Sequence, residues 1–434
     1  MCADICFING TLLTGDTAHP VLENAFLSVT AGRISTFGVM PAQTIPPPAA
    51  HETIDLSGKL LMPGLVNAHI HAFTVPFRGT RCPLPIAAPA GQSEVQDVRE
   101  WVHWGAKLAC LEMIRSGTTS FCDVSPCAAA VAEAADESGL RAIATQAING
   151  PPGCSTPEAA TALYDLRNRM AHYASHDRVS IGVSPVSNAP RILRQVASLT
   201  ATLNVPLVVD VTRLLEEGRE KPGSRADLAE QLDDMDVLSP RLICVQGVQL
   251  GDNDLEVLAS CAATMVYCPA NAMRSGRSSV PLGDLLACGV PVALGTGGCT
   301  AGDSLDMLRV LDETAKWESV VNGSPAGLNA PQVLAMGMAQ GSRALLQAGV
   351  PTGTLSVGAP ADLVVLDLQT PHLTPLYHHP SHLVYCARGS DVCSSMVAGR
   401  WLMRNREVLT LDEGEIHRQI AALRGGSPSV LQAP

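Results

Sequence analysis

The residues best suited to chemistry are His69 and His71, in the run Pro63-Gly64-Leu65-Val66-Asn67-Ala68-His69-Ile70-His71-Ala72. Side chains at i and i+2 of a strand point to the same face, so two imidazoles at a strand's end can reach one cation. Alone, that spacing is common, and its surroundings decide its meaning. Cys299 follows the Gly297-Gly298 pair. A thiol acts as a nucleophile only as thiolate, which needs a neighbouring base, and the sequence identifies none. His103 falls between Trp101 and Trp104 in a helical stretch and reads as packing.

The elements that must position these residues fall into two kinds. Asp4–Leu13, Ala25–Val29 and Arg33–Val39 alternate polar and apolar residues, as strands do, with Ala31-Gly32 marking a hairpin. Gly353–Leu366 and His382–Leu402 have the same character, each holding two strand patterns, and Glu413–Arg424 reads as a terminal amphipathic helix. Between these ends, short apolar strands alternate with helices. The strands are Leu61–His69, Thr119–Val124, Ala142–Ile148, Val179–Val186, Pro206–Val211, Leu242–Val248, Thr264–Cys268 and Pro291–Gly295. The helices include Val102–Arg115, Cys127–Ser138, Asp227–Met235, Leu255–Cys261 and Leu282–Cys288. Buried strands alternating with helices predict an α/β fold, a closed parallel (β/α)8 TIM barrel over residues 61–351. No GxGxxG turn follows the first barrel strand to favour a doubly wound sheet. The terminal segments, 1–60 and 352–434, then form a small composite β-sandwich beside it.

Composition narrows the function classes. An apolar fraction of 46% is ample for a core, and a net charge of −12 argues against nucleic acid or an anionic membrane as partner. It suits a protein handling a small molecule. Fourteen cysteines are scattered singly (Cys110, Cys244, Cys268, Cys288) with no CxxC pair. No signal peptide and no transmembrane run are evident, so a cytoplasmic setting with free thiols is expected.

The His69–His71 segment, with Pro-Gly-Leu-Val-Asn-Ala before it, resembles the first barrel strand of the amidohydrolase superfamily. Further matches are Glu112-Met113-Ile114-Arg115-Ser116-Gly117-Thr118-Thr119-Ser120, Ser304-Leu305-Asp306-Met307, Gly358-Ala359-Pro360-Ala361-Asp362-Leu363 and His382-Leu383-Val384-Tyr385. The subgroup resembled holds triazine hydrolases, adenosylhomocysteine deaminases and guanine deaminases. The resemblance implies one divalent metal held by the HxH pair, a strand-five histidine and a strand-eight aspartate. It also implies a proton-shuttling glutamate three residues after the strand-five histidine, and a substrate-orienting histidine on strand six. Such a metal lowers the pKa of bound water toward neutrality.

Set against that pattern, this chain departs at most positions. Asp210 stands for the strand-five histidine, Arg213 for the glutamate, Gln246 for the strand-six histidine, Tyr267 for a strand-seven histidine and Gly297 for the strand-eight aspartate; Val186 stands where a histidine often follows the proline. Arg213 cannot serve as a base, since guanidinium stays protonated, though it can grip a carboxylate or phosphate. Asp210 either joins His69 and His71 in a two-histidine, one-carboxylate set for zinc or ferrous iron, or pairs with Arg213 or a histidine, leaving no metal. His378, His379 and His382 lie in the loop that precedes the C-terminal strands and read as structural.

The expected active set is therefore Asp210, Arg213, Gln246 and Tyr267, with Arg78, Asn188, Asn271, Thr296 and Cys299 lining the substrate mouth. The expected function is an enzyme acting on a small nitrogen-containing compound by chemistry other than deamination, such as atypical hydrolysis, elimination or cyclisation. The alternative is an inactive protein that binds a ligand or an active partner; conventional metal-dependent deamination ranks last. A homodimer is the expected assembly.

Overall fold

In a computed structural model, the described residues are 2–16, 20–40, 48–79, 95–148, 166–185, 189–212, 214, 228–246, 250–276, 282–299, 304–324, 327–345 and 353–425. Both chain ends build one sheet. Its strands are β1 (Ala3–Leu13), β2 (Val21–Thr30), β3 (Arg33–Val39), β4 (Ala50–Asp55) and β5 (Lys59–Pro63). The barrel follows, with β6 (Leu65–His71), β7 (Thr118–Ser125), β8 (Arg141–Ile148), β9 (Val179–Pro185), β10 (Leu207–Asp210), β11 (Leu242–Val245), β12 (Thr264–Tyr267), β13 (Val292–Leu294) and β14 (Gly297–Gly298). The chain then returns to the first sheet through β15 (Leu363–Asp367), β16 (Val392–Val397), β17 (Arg400–Arg404) and β18 (Glu407–Val408).

Strands β6 to β13 pair in sequence order, all parallel, and β14 returns to pair with β6. β13 and β14 are one strand broken at Gly295-Thr296: its first half pairs with β12 and its second with β6, which closes the ring. The (β/α)8 barrel is thus the fold. Its interior is filled by one residue set from successive strands, including Ala68, Cys122, Ile143, Val208, Ile243, Val266 and Ala293. Alternate residues on the same strands, such as Val209, Cys244 and Met265, pack outward under the helices.

The helices used below are α1 (Val95–Arg115), α2 (Ala128–Ser138), α3 (Pro190–Leu203), α4 (Pro269–Ser275), α5 (Met307–Val321) and α6 (His379–Tyr385). No helix among the described residues is long and apolar enough to cross a membrane. Alanine dominates α2, which lets α1 and α2 pack closely over β7 and β8. Gly64 joins the two sheets where a Cβ would sit 2.0 Å from Thr119 Oγ1, so only glycine fits.

The terminal sheet runs β18-β17-β16-β15-β5-β1-β2-β3, with β4 also on β1. Its two halves meet at the antiparallel β5–β15 pair, in register from Leu363–Pro63 to Asp367–Lys59. The composite sandwich expected from sequence is therefore one continuously paired sheet, with its own core of Phe7, Leu12, Leu27, Ile34, Leu61, Leu363 and Met396. The Ala31-Gly32 hairpin has φ of 49° and 74°, the two left-handed residues of a type I′ turn.

Two local readings change. Within Gly353–Leu366 only Leu363 onward is strand, because the earlier part carries turns at Gly353 and Gly358. His382–Tyr385 is helical rather than extended: His378 caps α6, accepting from the Ser381 N–H, and Pro380 sits in its first turn, where no N–H is needed. The His382 ring nitrogens lie 3.1 Å from the His378 carbonyl and 2.9 Å from the Pro375 carbonyl, so this histidine cluster serves the local turn. The described cysteines are free; Cys110, Cys244 and Cys268 are buried while Cys2 and Cys288 are exposed.

Candidate active site

The β6 end carries the histidine pair. His69 is 5% exposed, and its Nδ1 has no hydrogen-bond partner among the described residues. Burial, and to a lesser degree the neighbouring His71, hold its pKa well below the usual imidazole range, so it is neutral. His71 lies edge-on to it, with ring centroids 4.7 Å apart at 84°. Its Nδ1 stands 2.8 Å from the Val124 carbonyl, which fixes the proton on Nδ1 and leaves a lone pair on Nε2. Burial lowers this pKa too, against the pull of that carbonyl. Two neutral imidazoles therefore face the barrel mouth, each able to take a proton or give a lone pair to a cation.

The surroundings hold this pair in place. Asp123, on β7, accepts the Ala72 N–H at 2.7 Å and so fixes the turn that leaves His71. It is fully buried, its Oδ2 has no partner among the described residues, and burial raises its pKa to about 7 against the Ala72 and Ser125 hydrogen bonds. Thr74 Oγ1 donates to the His71 carbonyl at 2.6 Å and accepts the Cys299 N–H at 2.9 Å, tying β6 to the end of the eighth strand. Asn67 and Thr296 add a second tie across the same seam.

The expected site residues separate into groups. Arg213 and Asn188, with Val186, lie outside the described residues. Thr296 and Cys299 are at the β14 seam, both buried, and Thr296 is committed to Asn67. Arg78 forms an ion pair with Glu112 and lies 3.6 Å from Cys299 Sγ; Glu112 in turn accepts the Leu305 N–H at 2.9 Å. Gln246 is half-buried at the end of β11, with a left-handed backbone (φ 69°) and its N–H on the Val266 carbonyl.

Tyr267, on β12, is buried. Strand alternation puts it with Met265 in the layer between strands and helices, while Val266 and Cys268 face the interior. Asp210 ends β10, the fifth barrel strand, and its charge acts on the buried Cys268 thiol, whose pKa burial and Asp210 both raise; among the described residues it does not gather with His69 and His71 into the expected three-ligand set. No three His, Cys, Asp or Glu side chains among the described residues come together as a metal ion would require. The donors among the described residues thus do not complete a tight divalent-metal site.

Sequence reasoning missed the supports: Asn67, Thr74 and the buried role of Asp123. A carboxylate inside the otherwise uncharged run Thr118–Ser125 was the one signal available. Asn271 lies in α4 directly after β12, with its side-chain amide against Gly297.

Comparison with known proteins fits this architecture. The model of the amidohydrolase family matches residues 60–402. A protein of Syntrophobacter fumaroxidans named 5-methylthioadenosine/S-adenosylhomocysteine deaminase is 33% identical over 96% of this chain and 97% of its own. A 5'-deoxyadenosine deaminase of Methanosarcina acetivorans is also 33% identical, over 95% and 96%. Among solved structures, an adenosine deaminase of Xanthomonas campestris with bound zinc superposes with a TM-score of 0.87 at 24% identity, covering 99% of both chains. The zinc complex of an Arthrobacter aurescens atrazine chlorohydrolase gives 0.79 at 18%, covering 96% and 99%. These relatives overturn the expectation of chemistry other than deamination, and its alternative of an inactive binding protein. Both rested on the substituted residues alone, whereas the similarity to named deaminases runs nearly end to end. The chain belongs to the amidohydrolase family.

Proposed function

We propose that the chain is a hydrolytic deaminase of small adenine nucleosides, among them those altered at the 5' position. The observation that carries this reading is identity of 33% to a 5-methylthioadenosine/S-adenosylhomocysteine deaminase over 96% of this chain. In such a reaction water adds to the amino-bearing ring carbon and the C–N bond breaks. Ammonia leaves with the proton it needs, and the water oxygen stays on the ring. The chemistry needs a proton acceptor for the water and a site that shields the reacting carbon.

His71 suits the acceptor role. Its proton is pinned on Nδ1 by Val124, its Nε2 lone pair is open, and its lowered pKa keeps it neutral near pH 7. His69 adds a second neutral imidazole beside it. Because the donors among the described residues do not complete a divalent-metal site, no step is routed through a metal. A cytoplasmic setting is in keeping with the free thiols.

The test is incubation of the purified full chain with 5'-deoxyadenosine, methylthioadenosine, adenosylhomocysteine and adenosine, with and without added zinc. Ammonia release matched by conversion of the adenine to the hypoxanthine spectrum is the expected result. No release above the protein-free control from any of the four would overturn the reading.

A further inference from the structure

Gly297 stands where the family resemblance places an aspartate, and the room such a side chain needs is already taken. A Cβ on Gly297 would lie 2.3 Å from Asn271 Nδ2, 2.9 Å from its Cγ and 3.0 Å from its Oδ1. Asn271 sits in the first turn of α4, immediately after β12, and its amide would have to turn away before any side chain could stand at 297. Gly297 itself has a φ of +66°, a conformation that glycine adopts freely and most residues do not.

A second observation concerns satisfaction of polar atoms. The Asn271 Oδ1 is buried with no hydrogen-bond partner among the described residues, and so is His69 Nδ1. Buried polar atoms of this kind are normally paired. Both lie at the same end of the barrel: Gly297 pairs with Ile70 and Gly298 with His71, and a Cβ on Gly298 would be 3.3 Å from His71 Cδ2. The Asn271 amide thus fills the space next to the histidine strand that an aspartate at 297 would claim, its Nδ2 nearest and its Oδ1 unpaired among the described residues.

We propose that Asn271 has taken over that position, supplying a neutral amide acceptor where a carboxylate would be, and that its side chain excludes an aspartate from position 297. Among the described residues the donor set beside β6 is then two neutral imidazoles and an amide oxygen. Cation affinity follows the charge and number of ligands, so this set holds a divalent ion weakly. The substitution at 297 cannot be reversed alone. It can be reversed after Asn271 is shortened, or bypassed by placing the carboxylate at 271 itself.

The experiment compares the full-length chain with Asn271→Asp, Gly297→Asp and the double variant Gly297→Asp/Asn271→Ala. Zinc retained after dialysis is measured by mass spectrometry, zinc affinity by calorimetry, and the unfolding midpoint by heating. The original chain should retain well under one zinc per chain. Gly297→Asp should melt lower and gain no zinc, whereas Asn271→Asp and the double variant should each bind zinc at least tenfold more tightly. Should the double variant not fold, Asn271→Asp decides alone. The inference is overturned if the original chain keeps one zinc per chain through dialysis. It is equally overturned if Gly297→Asp is as stable and binds zinc as well as the double variant, or if the folded Asn271→Asp chain gains no affinity. None of these readouts uses turnover, so they stand apart from the deaminase assay.

Discussion

Asn67 and Thr296 hold each other by two hydrogen bonds: the Asn67 amide donates to Thr296 Oγ1 at 2.8 Å, and the Thr296 N–H donates to Asn67 Oδ1 at 3.1 Å. The pair spans the seam where the broken eighth strand meets β6, and both residues are buried. Replacing Thr296 by Val keeps the shape and strands the Asn67 amide. Leaving one buried donor unpaired costs about 1–3 kcal/mol, which urea unfolding of Thr296→Val against the original chain will measure.

A second expectation concerns pH. Asp123 has a folded pKa of about 7 against an ordinary value of 3.8. A raised carboxyl pKa means that the folded state holds a proton the unfolded state has released between those values. Stability from this group is full below pH 3.8, falls as pH rises, and is gone above about 7. Asp123→Asn, which keeps an oxygen for the Ala72 N–H, should remove that slope. Unfolding curves from pH 4 to 8 for both chains should converge at the acid end and diverge toward neutrality, with the asparagine variant the more stable.

The barrel and the terminal sheet are joined by a buried ion pair. Arg141 on β8 meets Asp362 through two contacts, at 2.5 Å and 3.0 Å, and Asp362 also accepts the Ala398 N–H at 2.8 Å. Its side chain is 2% exposed. Removing one partner of such a pair leaves an uncompensated charge and costs about 3–5 kcal/mol. Asp362→Ala should therefore unfold at clearly lower denaturant, and the Arg141→Met/Asp362→Leu double variant should recover much of the loss.

Turnover should depend on His71 more than on its packing. His71→Asn can keep a donor toward the Val124 carbonyl but has no basic nitrogen for a proton. A loss of about 10²–10⁴ in kcat/KM on the best nucleoside is expected, with an unfolding midpoint close to that of the original chain. A variant that melts early and loses activity in proportion would assign His71 a structural role instead.

Much of the architecture was legible in the sequence because it rests on local signals. Apolar runs such as Leu242–Val245 admit little but a buried strand, and the Pro63–Ala72 run placed the histidines at a strand end. What escaped is non-local. Nothing in the sequence pairs Asn67 with Thr296, 229 residues away, or sets Asn271 against Gly297. Nor does a short apolar strand announce which of its two faces is inward; that Tyr267 packs in one layer with Met265 is fixed by register with its neighbours. Inference from lost residues to lost chemistry failed for a related reason: it weighed a few positions against a similarity spread over the entire chain.

The β5–β15 pairing has a consequence for how the protein is made. β5 leaves the ribosome before any of the barrel, and its antiparallel partner emerges only after all of it. Throughout synthesis of the barrel, Leu60, Leu61 and Met62 lack the neighbour that finally buries them. The nascent chain thus carries an open, sticky strand edge for most of its elongation time. A stall or premature stop within the barrel would release a chain with that edge exposed, so yield in the cell should depend on translation speed and chaperone supply.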